Sequence, residues 1–202
     1  MKITKSIFYI MVALFAIVFL SCKNDAKKAE TIEAETHENH RTNSEASDPP
    51  KSLSPHTNAM AMINGGHIHI DYSAPSVRER VIFGGLVGYN TVWQAGAHKA
   101  TWIETDKDLL IDGKTLEAGK YGFFVIPGKE KWQVMFNSRW DQHGKDDYNE
   151  AENILTLEVI PEKLNEIQEV LTYEVKELND KEGEIILTWE NVKIDVPFEV
   201  VN

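Results

Sequence analysis

Thiols are nearly absent from this chain, which has one cysteine, Cys22, in 202 residues. No disulfide can form within one copy, and cysteine-built zinc sites are excluded. Cations are also scarce: 21 Lys and Arg face 32 Asp and Glu, for a net charge of −11. Nucleic acid is therefore not an expected partner, because neutralising a phosphate backbone takes a basic footprint. The acid excess suits solubility and the attraction of cations. Catalytic signatures are missing too. There is no Gly-x-Ser-x-Gly elbow, no phosphate-cradling glycine loop and no His-Glu-x-x-His, so common hydrolase, nucleotide-binding and metalloprotease machinery has no foothold. No period of about 20–50 residues recurs, which argues against a solenoid or propeller. A non-enzymatic role is favoured.

What the chain does have begins with a charged start, Met1-Lys2-Ile3-Thr4-Lys5, and an apolar run from Ile7 to Leu20. The run is shorter than the roughly 20 residues a spanning helix needs and matches the apolar part of a signal peptide. Its ending, Phe19-Leu20-Ser21-Cys22, resembles the lipobox of bacterial lipoproteins. That resemblance implies cleavage after residue 21, lipid on the Cys22 sulfur (palmitate among the acyl groups) and a cell-envelope location. The outer membrane is favoured, with the domain facing the periplasm or the exterior. An acylated Cys22 leaves no free thiol. Residues 22–52 are rich in Glu, Thr, Asn and Ser and end near Pro49-Pro50; such a segment cannot bury enough apolar surface to offset its ordering entropy and reads as a flexible tether. Its two histidines, His37 and His40, read as solvated.

From residue 53 to 202 the pattern changes to short alternating runs separated by Gly, Pro, Asn and Asp, the mark of a single all-β domain. About 150 residues suffice for one core. Gly66 to Ser73 alternates cleanly, placing Ile68, Ile70 and Tyr72 on one face of a strand and His67, His69 and Asp71 on the other. Strands are expected at Val81–Phe83, over Gly88–Trp93, at Ala100–Thr105, and on both sides of the Asp112-Gly113 turn. Tyr121–Ile126 and Trp132–Phe136 form a hairpin across Pro127-Gly128. Asn137–Glu152 is a polar excursion over one end of the domain, and Ile154–Ile160 alternates again. Glu162–Val170 reads as a helical turn, followed by strands at Leu171–Leu178, Glu184–Glu190 and Val192–Val200. Roughly nine or ten strands make an antiparallel β-sandwich or jelly roll, with a short helical turn at most.

Several stretches resemble a bacterial lipoprotein family, the domain of unknown function 2911. They are Asp71-Tyr72-Ser73-Ala74-Pro75-Ser76-Val77-Arg78, Ile82 to Val87, Val92 to Ala97, Ala118 to Phe124 with Ile126-Pro127-Gly128, Trp132 to Asn137, and Leu187-Thr188-Trp189-Glu190. The resemblance implies a family scaffold and no particular activity. Members typically read Trp-Arg-Thr-Gly-Ala-Asn-Glu-Ala-Thr where this chain has Trp93-Gln94-Ala95-Gly96-Ala97-His98-Lys99-Ala100-Thr101. Gln94, His98 and Lys99 thus replace the usual polar trio, and His98 joins His67 and His69 in a histidine-bearing variant.

His67-Ile68-His69 sets two imidazoles on one strand face, and His98 from a loop is the expected third ligand of a metal ion. Asp71 completes the site or orients a ligand from behind. Met60 and Met62 lie just upstream, and their soft thioethers tilt the choice to copper, as Cu(I) or Cu(II), with zinc as the alternative. The competing reading has the two methionines filling the core and the histidines decorating a wet strand. A different class of function is a non-metal module for a glycan or an envelope protein, with Trp140 as the exposed stacking residue; Trp132 and Trp189 read as core. A zinc-hydroxide hydrolase or hydratase on His67, His69 and His98 ranks third. Arg78, Glu79 and Arg80 read as a turn with local ion pairs, and Asp146-Asp147 as solvated or as ligands for calcium.

Overall fold

A computed structural model describes residues 52–201. The leader, Cys22 with its expected acylation, nearly all of the tether, His37 and His40 lie outside them. Ten strands form: β1 (His56–Ile63), β2 (Gly66–Ser73), β3 (Trp102–Thr105), β4 (Asp108–Ile111), β5 (Lys114–Leu116), β6 (Gly119–Ile126), β7 (Trp132–Asn137), β8 (Asn153–Val159), β9 (Glu162–Glu177) and β10 (Glu182–Val201). A 3-10 turn at Glu150–Glu152 is the one helical element among the described residues. The first sheet runs β1-β2-β3-β6-β7-β8 and the second β5-β4-β10-β9, with every pairing antiparallel. The fold is a β-sandwich.

Alternation decides which residues fill the space between the sheets. Ile68, Ile70 and Tyr72 of β2 are buried with Ile103, Phe123, Val125, Val134 and Phe136, and they meet Leu171, Tyr173, Leu187 and Trp189 of the second sheet. Trp132 and Trp189 are core, as their strand patterns indicate. Both expected hairpins form, β4–β5 around Asp112-Gly113 and β6–β7 around Pro127-Gly128.

Three expectations fail, each for a physical reason. Glu162–Val170 is not a helical turn but the first half of β9, because the far half of β10 needs a ladder partner: Lys193 pairs with Glu162 and Val192 with Lys163. Tertiary pairing overrides the three-residue apolar spacing there. The two strands expected between Glu184 and Val200 are one strand, β10, kinked where its register shifts around Glu190, which has φ 55°. An irregularity of this kind reverses which parity faces inward: buried side chains fall at Ile185, Leu187 and Trp189 before it and at Ile194, Val196 and Phe198 after it. Finally, Val81–Phe83 and Gly88–Trp93 form no strands. Gly84 at φ 90° and the bonds Gly84 N–H to Val87 O (2.8 Å) and Val87 N–H to Ile82 O (2.8 Å) fold the first into a tight turn, and Trp93 keeps only a bridge to Val125.

The polar excursion after β7 meets the loop between β2 and β3 through His143, Gly144 and Lys145 and reaches onto the outer face of the first sheet. Phe124 and Met135, facing away from the main core, are sealed there with Ala100 under Tyr148, Val92 and Ile126. Gly122 makes room: a Cβ on it would stand 2.7 Å from the Phe124 ring and 3.2 Å from the Arg139 carbonyl. Asn137 holds the loop's ends together, donating to Asn149 O at 2.9 Å and to Asn153 Oδ1 at 2.8 Å. The Glu152 carboxyl sits below its usual range, chiefly because Arg139 donates a hydrogen bond to it. A carboxylate depressed by folding contributes stability present above its unfolded value of about 4.3, lost as pH falls through the folded value. Amide exchange over residues 138–152, taken relative to its intrinsic rate at each pH, should therefore accelerate in acid before that of β6 and β7, and Glu152→Gln should remove that acid dependence. Equal acceleration of loop and strands would mean the pair does not anchor the loop.

Candidate metal centre

The outer face of the first sheet is open on its β1–β3 side, and its register there is set by two residues. Asn64 (φ 50°) and Gly65 (φ 70°) both lie in the left-handed region, as a two-residue hairpin turn requires. This fixes Met62 opposite His67, Met60 opposite His69 and Asn58 opposite Asp71. Directly opposed residues share a face, with Cβ atoms about 4.5–5.5 Å apart. A one-residue slip would turn both histidines inward, and burial of Ile68 and Ile70 forbids it. Two thioethers and two imidazoles therefore meet on one patch. Met60 and Met62 are 53% and 59% exposed, so they do not fill the core.

The rings of His67 and His69 have centroids 5.9 Å apart. Two imidazoles on one ion, at metal–nitrogen distances of about 2.0–2.1 Å, place their centroids about 5–6 Å apart, so the spacing of the pair is the one a shared ion requires. The Nε2 atom of His69 is shielded from solvent and has no hydrogen-bond partner. A buried polar atom left so costs about 1–3 kcal/mol, which a ligated metal would offset. Trp102, diagonal to His69 across β3, packs its indole 5.2 Å away. Lys120 Nζ stands 3.2 Å above that indole and 4.1 Å from the Trp140 ring, closing the inner side of the patch with a cation–π stack. Glu104, opposite His69 on β3, is the nearest acid by register.

The other residues singled out by sequence lie elsewhere. Asp71 is on the same face but about 7 Å along the strand from His69, and it accepts a 2.9 Å hydrogen bond from His56 Nε2. His98 does not join the pair. Its neighbour Ala97 donates to Ser73 O, at the end of β2 and about 13 Å of strand beyond His69. His143 sits beside His98, bridged through Lys99, with Nδ1 3.3 Å from Asp146. Among the described residues no three His, Cys, Asp or Glu side chains are grouped to hold a metal, so a metal on this patch depends on the methionine sulfurs. Trp140 is half-buried and spends its face on Lys120 and Trp102. Sequence reasoning missed His56, Trp102 and Lys120. The overlooked signal was Asn64-Gly65, which predicts the Met–His pairing by itself.

A second concavity, about 370 Å³, is lined by Arg78, Arg80, Trp93, His98, Lys145 and Trp189 among others. The stretches Asp71–Arg78, Ile82–Val87 and Val92–Ala97 supply much of its wall. Arg78 and Arg80 form no local ion pairs with Glu79 and donate to backbone carbonyls instead. The Ala95 carbonyl, at φ 52°, accepts from both Tyr173 Oη (2.8 Å) and Thr101 Oγ1 (2.9 Å). Burial pushes the Tyr173 phenol well above its ordinary pKa, so it stays a donor.

These features define an all-β sandwich domain with an open Met–His face and a separate cationic pocket. Residues 54–198 match the family described as Protein of unknown function (DUF2911). The chain belongs to that family. Searches of curated proteins and of solved structures found no match.

Proposed function

We propose that this protein is a copper-binding lipoprotein of the bacterial envelope that carries Cu(I) on Met60, Met62, His67 and His69. The observation behind this reading is the β1–β2 register, which opposes the two thioethers to the two imidazoles. Thioether sulfur is a soft ligand suited to Cu(I), whereas zinc and Cu(II) prefer more nitrogen and oxygen than this patch collects. The orphaned Nε2 of His69 fits a ligand atom awaiting an ion. The half-exposed methionines leave the ion accessible to a partner, which suits delivery or exchange. Lipid on Cys22 would hold the domain outside the cytoplasm. The zinc-enzyme alternative has less support, since His98 is remote from the pair, and the glycan alternative is weakened by the packing of Trp140.

Titration of the full chain, purified without chelator, with Cu(I), Cu(II) and zinc separately tests the reading. One Cu(I) per chain, with sulfur and nitrogen scatterers in X-ray absorption, is expected. Zinc bound more tightly than Cu(I), or no copper bound, would overturn it.

A further inference from the structure

We propose that the pocket framed by the loops between β2 and β3 binds a small organic anion, its carboxylate or phosphate oxygens held by Arg78, Arg80 and Lys145 and reached by the Trp189 indole N–H. At about 370 Å³ the pocket has the size of a small-molecule site. Acids outnumber Lys and Arg by 32 to 21 in the chain, yet Arg78, Arg80 and Lys145 line the pocket and no Asp or Glu does. The sorting by sign is local and runs against composition.

These cations are positioned but not neutralised. Arg80 donates through Nε to Val77 O (3.0 Å) and through Nη2 to Ser76 O (2.6 Å), Arg78 Nη2 donates to Leu53 O (3.3 Å), and Lys145 Nζ donates to Val92 O (2.7 Å). Carbonyls fix where the charges sit and leave them uncompensated; among the described residues none of the three is in an ion pair. Beside them, Trp189 is 1% exposed and its Nε1–H has no acceptor. The neighbouring Trp93 donates its own indole N–H to Gly96 O at 3.1 Å, so the vacancy belongs to Trp189. Cationic and indole donors among the lining of one pocket call for an acceptor-rich, negatively charged ligand. Its body would lie against Leu86, Val87 and Trp93. The surrounding loops hold Arg78, Glu79, Asn90, Ala95 and His98 at positive φ, a concentration of backbone strain of the sort that binding sites retain.

The site shares no residue with the Met–His patch, so the copper reading and this one can fail separately. The test is an NMR titration of the full chain in detergent micelles, following indole N–H resonances, with phenyl phosphate, benzoate and uncharged benzyl alcohol as probes. The Trp189 resonance, identified by its loss in Trp189→Phe, should move with one or both anions and stay fixed with benzyl alcohol. Whichever anion binds tighter identifies the head group. Arg78→Gln/Lys145→Gln should weaken anion binding by about tenfold or more, the scale of losing one charge-assisted contact. Lys145→Glu alone, at an exposed loop position, should do the same if the double variant unfolds. An indole that ignores both anions, an equal response to benzyl alcohol, or undiminished affinity in a folded charge variant would overturn the proposal.

Discussion

His69→Ala should lower Cu(I) affinity by at least about a hundredfold, since even groups that merely orient a metal ligand cost 10–100-fold when removed. The loss should exceed that of any other single change on the patch, because His69 presents the nitrogen that already lacks a partner. Met60→Leu/Met62→Leu keeps volume and removes sulfur, so Cu(I) affinity should fall while the weaker Cu(II) affinity changes little. His98→Ala should leave both unchanged, as its loop meets the opposite end of β2. Thermal unfolding should hardly move in the methionine variant, whose side chains are more than half exposed and lie on the outer face of the sheet. Competition with a Cu(I)-specific chelator measures all of these. A His98→Ala variant that loses copper as His69→Ala does would refute the geometry and restore the three-histidine arrangement that sequence spacing suggests, and His69→Ala retaining copper would refute both.

The difference between those two arrangements shows where sequence is readable and where it is not. The face of β2 was legible because side-chain direction in a strand is fixed by parity: Ile68, Ile70 and Tyr72 point in, His67, His69 and Asp71 out. The hairpins at Asp112-Gly113 and Pro127-Gly128 were legible because those pairs encode their turns. Asn64-Gly65 carries the same information, and reading it would have put Met60 and Met62 against the histidines. His98 was not legible. Its place depends on Ala95 and His98 adopting φ of 52° and 61°, conformations that neither residue type announces. They are held on the Ala95 carbonyl by Thr101, six residues on, and by Tyr173, 78 residues along the chain. The phase reversal of β10 at Glu190 has a similar origin, for the Glu190 carboxylate accepts from Ile82 N–H at 3.0 Å, a contact across 108 residues of chain. Sequence periodicity reports local geometry well, whereas these loops are shaped by partners far along the chain.

Phe83→Ala should be the costliest of the substitutions considered, about 3–5 kcal/mol, a large part of the 5–15 kcal/mol typical of a domain. Phe83 is 6% exposed and its ring centroid lies 4.7 Å from Trp132, 5.9 Å from Trp93 and 6.0 Å from Trp189. Trp93 and Trp189 stack at 5.6 Å, and large rings of this kind cannot collapse into the space a phenyl leaves. Because the 81–87 segment is a turn, it has no sheet ladder to secure it; its anchors are the buried Ile82, Phe83 and Val87 side chains and the bond that Ile82 N–H donates to the Glu190 carboxylate. Val81→Ala, two residues away but 68% exposed, should stay within about 0.5 kcal/mol. Phe83→Leu should fall between the two, since a branched aliphatic fills part of the void. Denaturant unfolding of the three variants at unchanged slope measures the series. The same turn carries Leu86 and Val87 into the cationic pocket, so Phe83→Ala should weaken anion binding there while sparing Cu(I) on the outer face of β1 and β2. A Phe83→Ala protein within about 1 kcal/mol of the parent would mean that the indoles close over the gap, and that the pocket wall stands without its aromatic wedge.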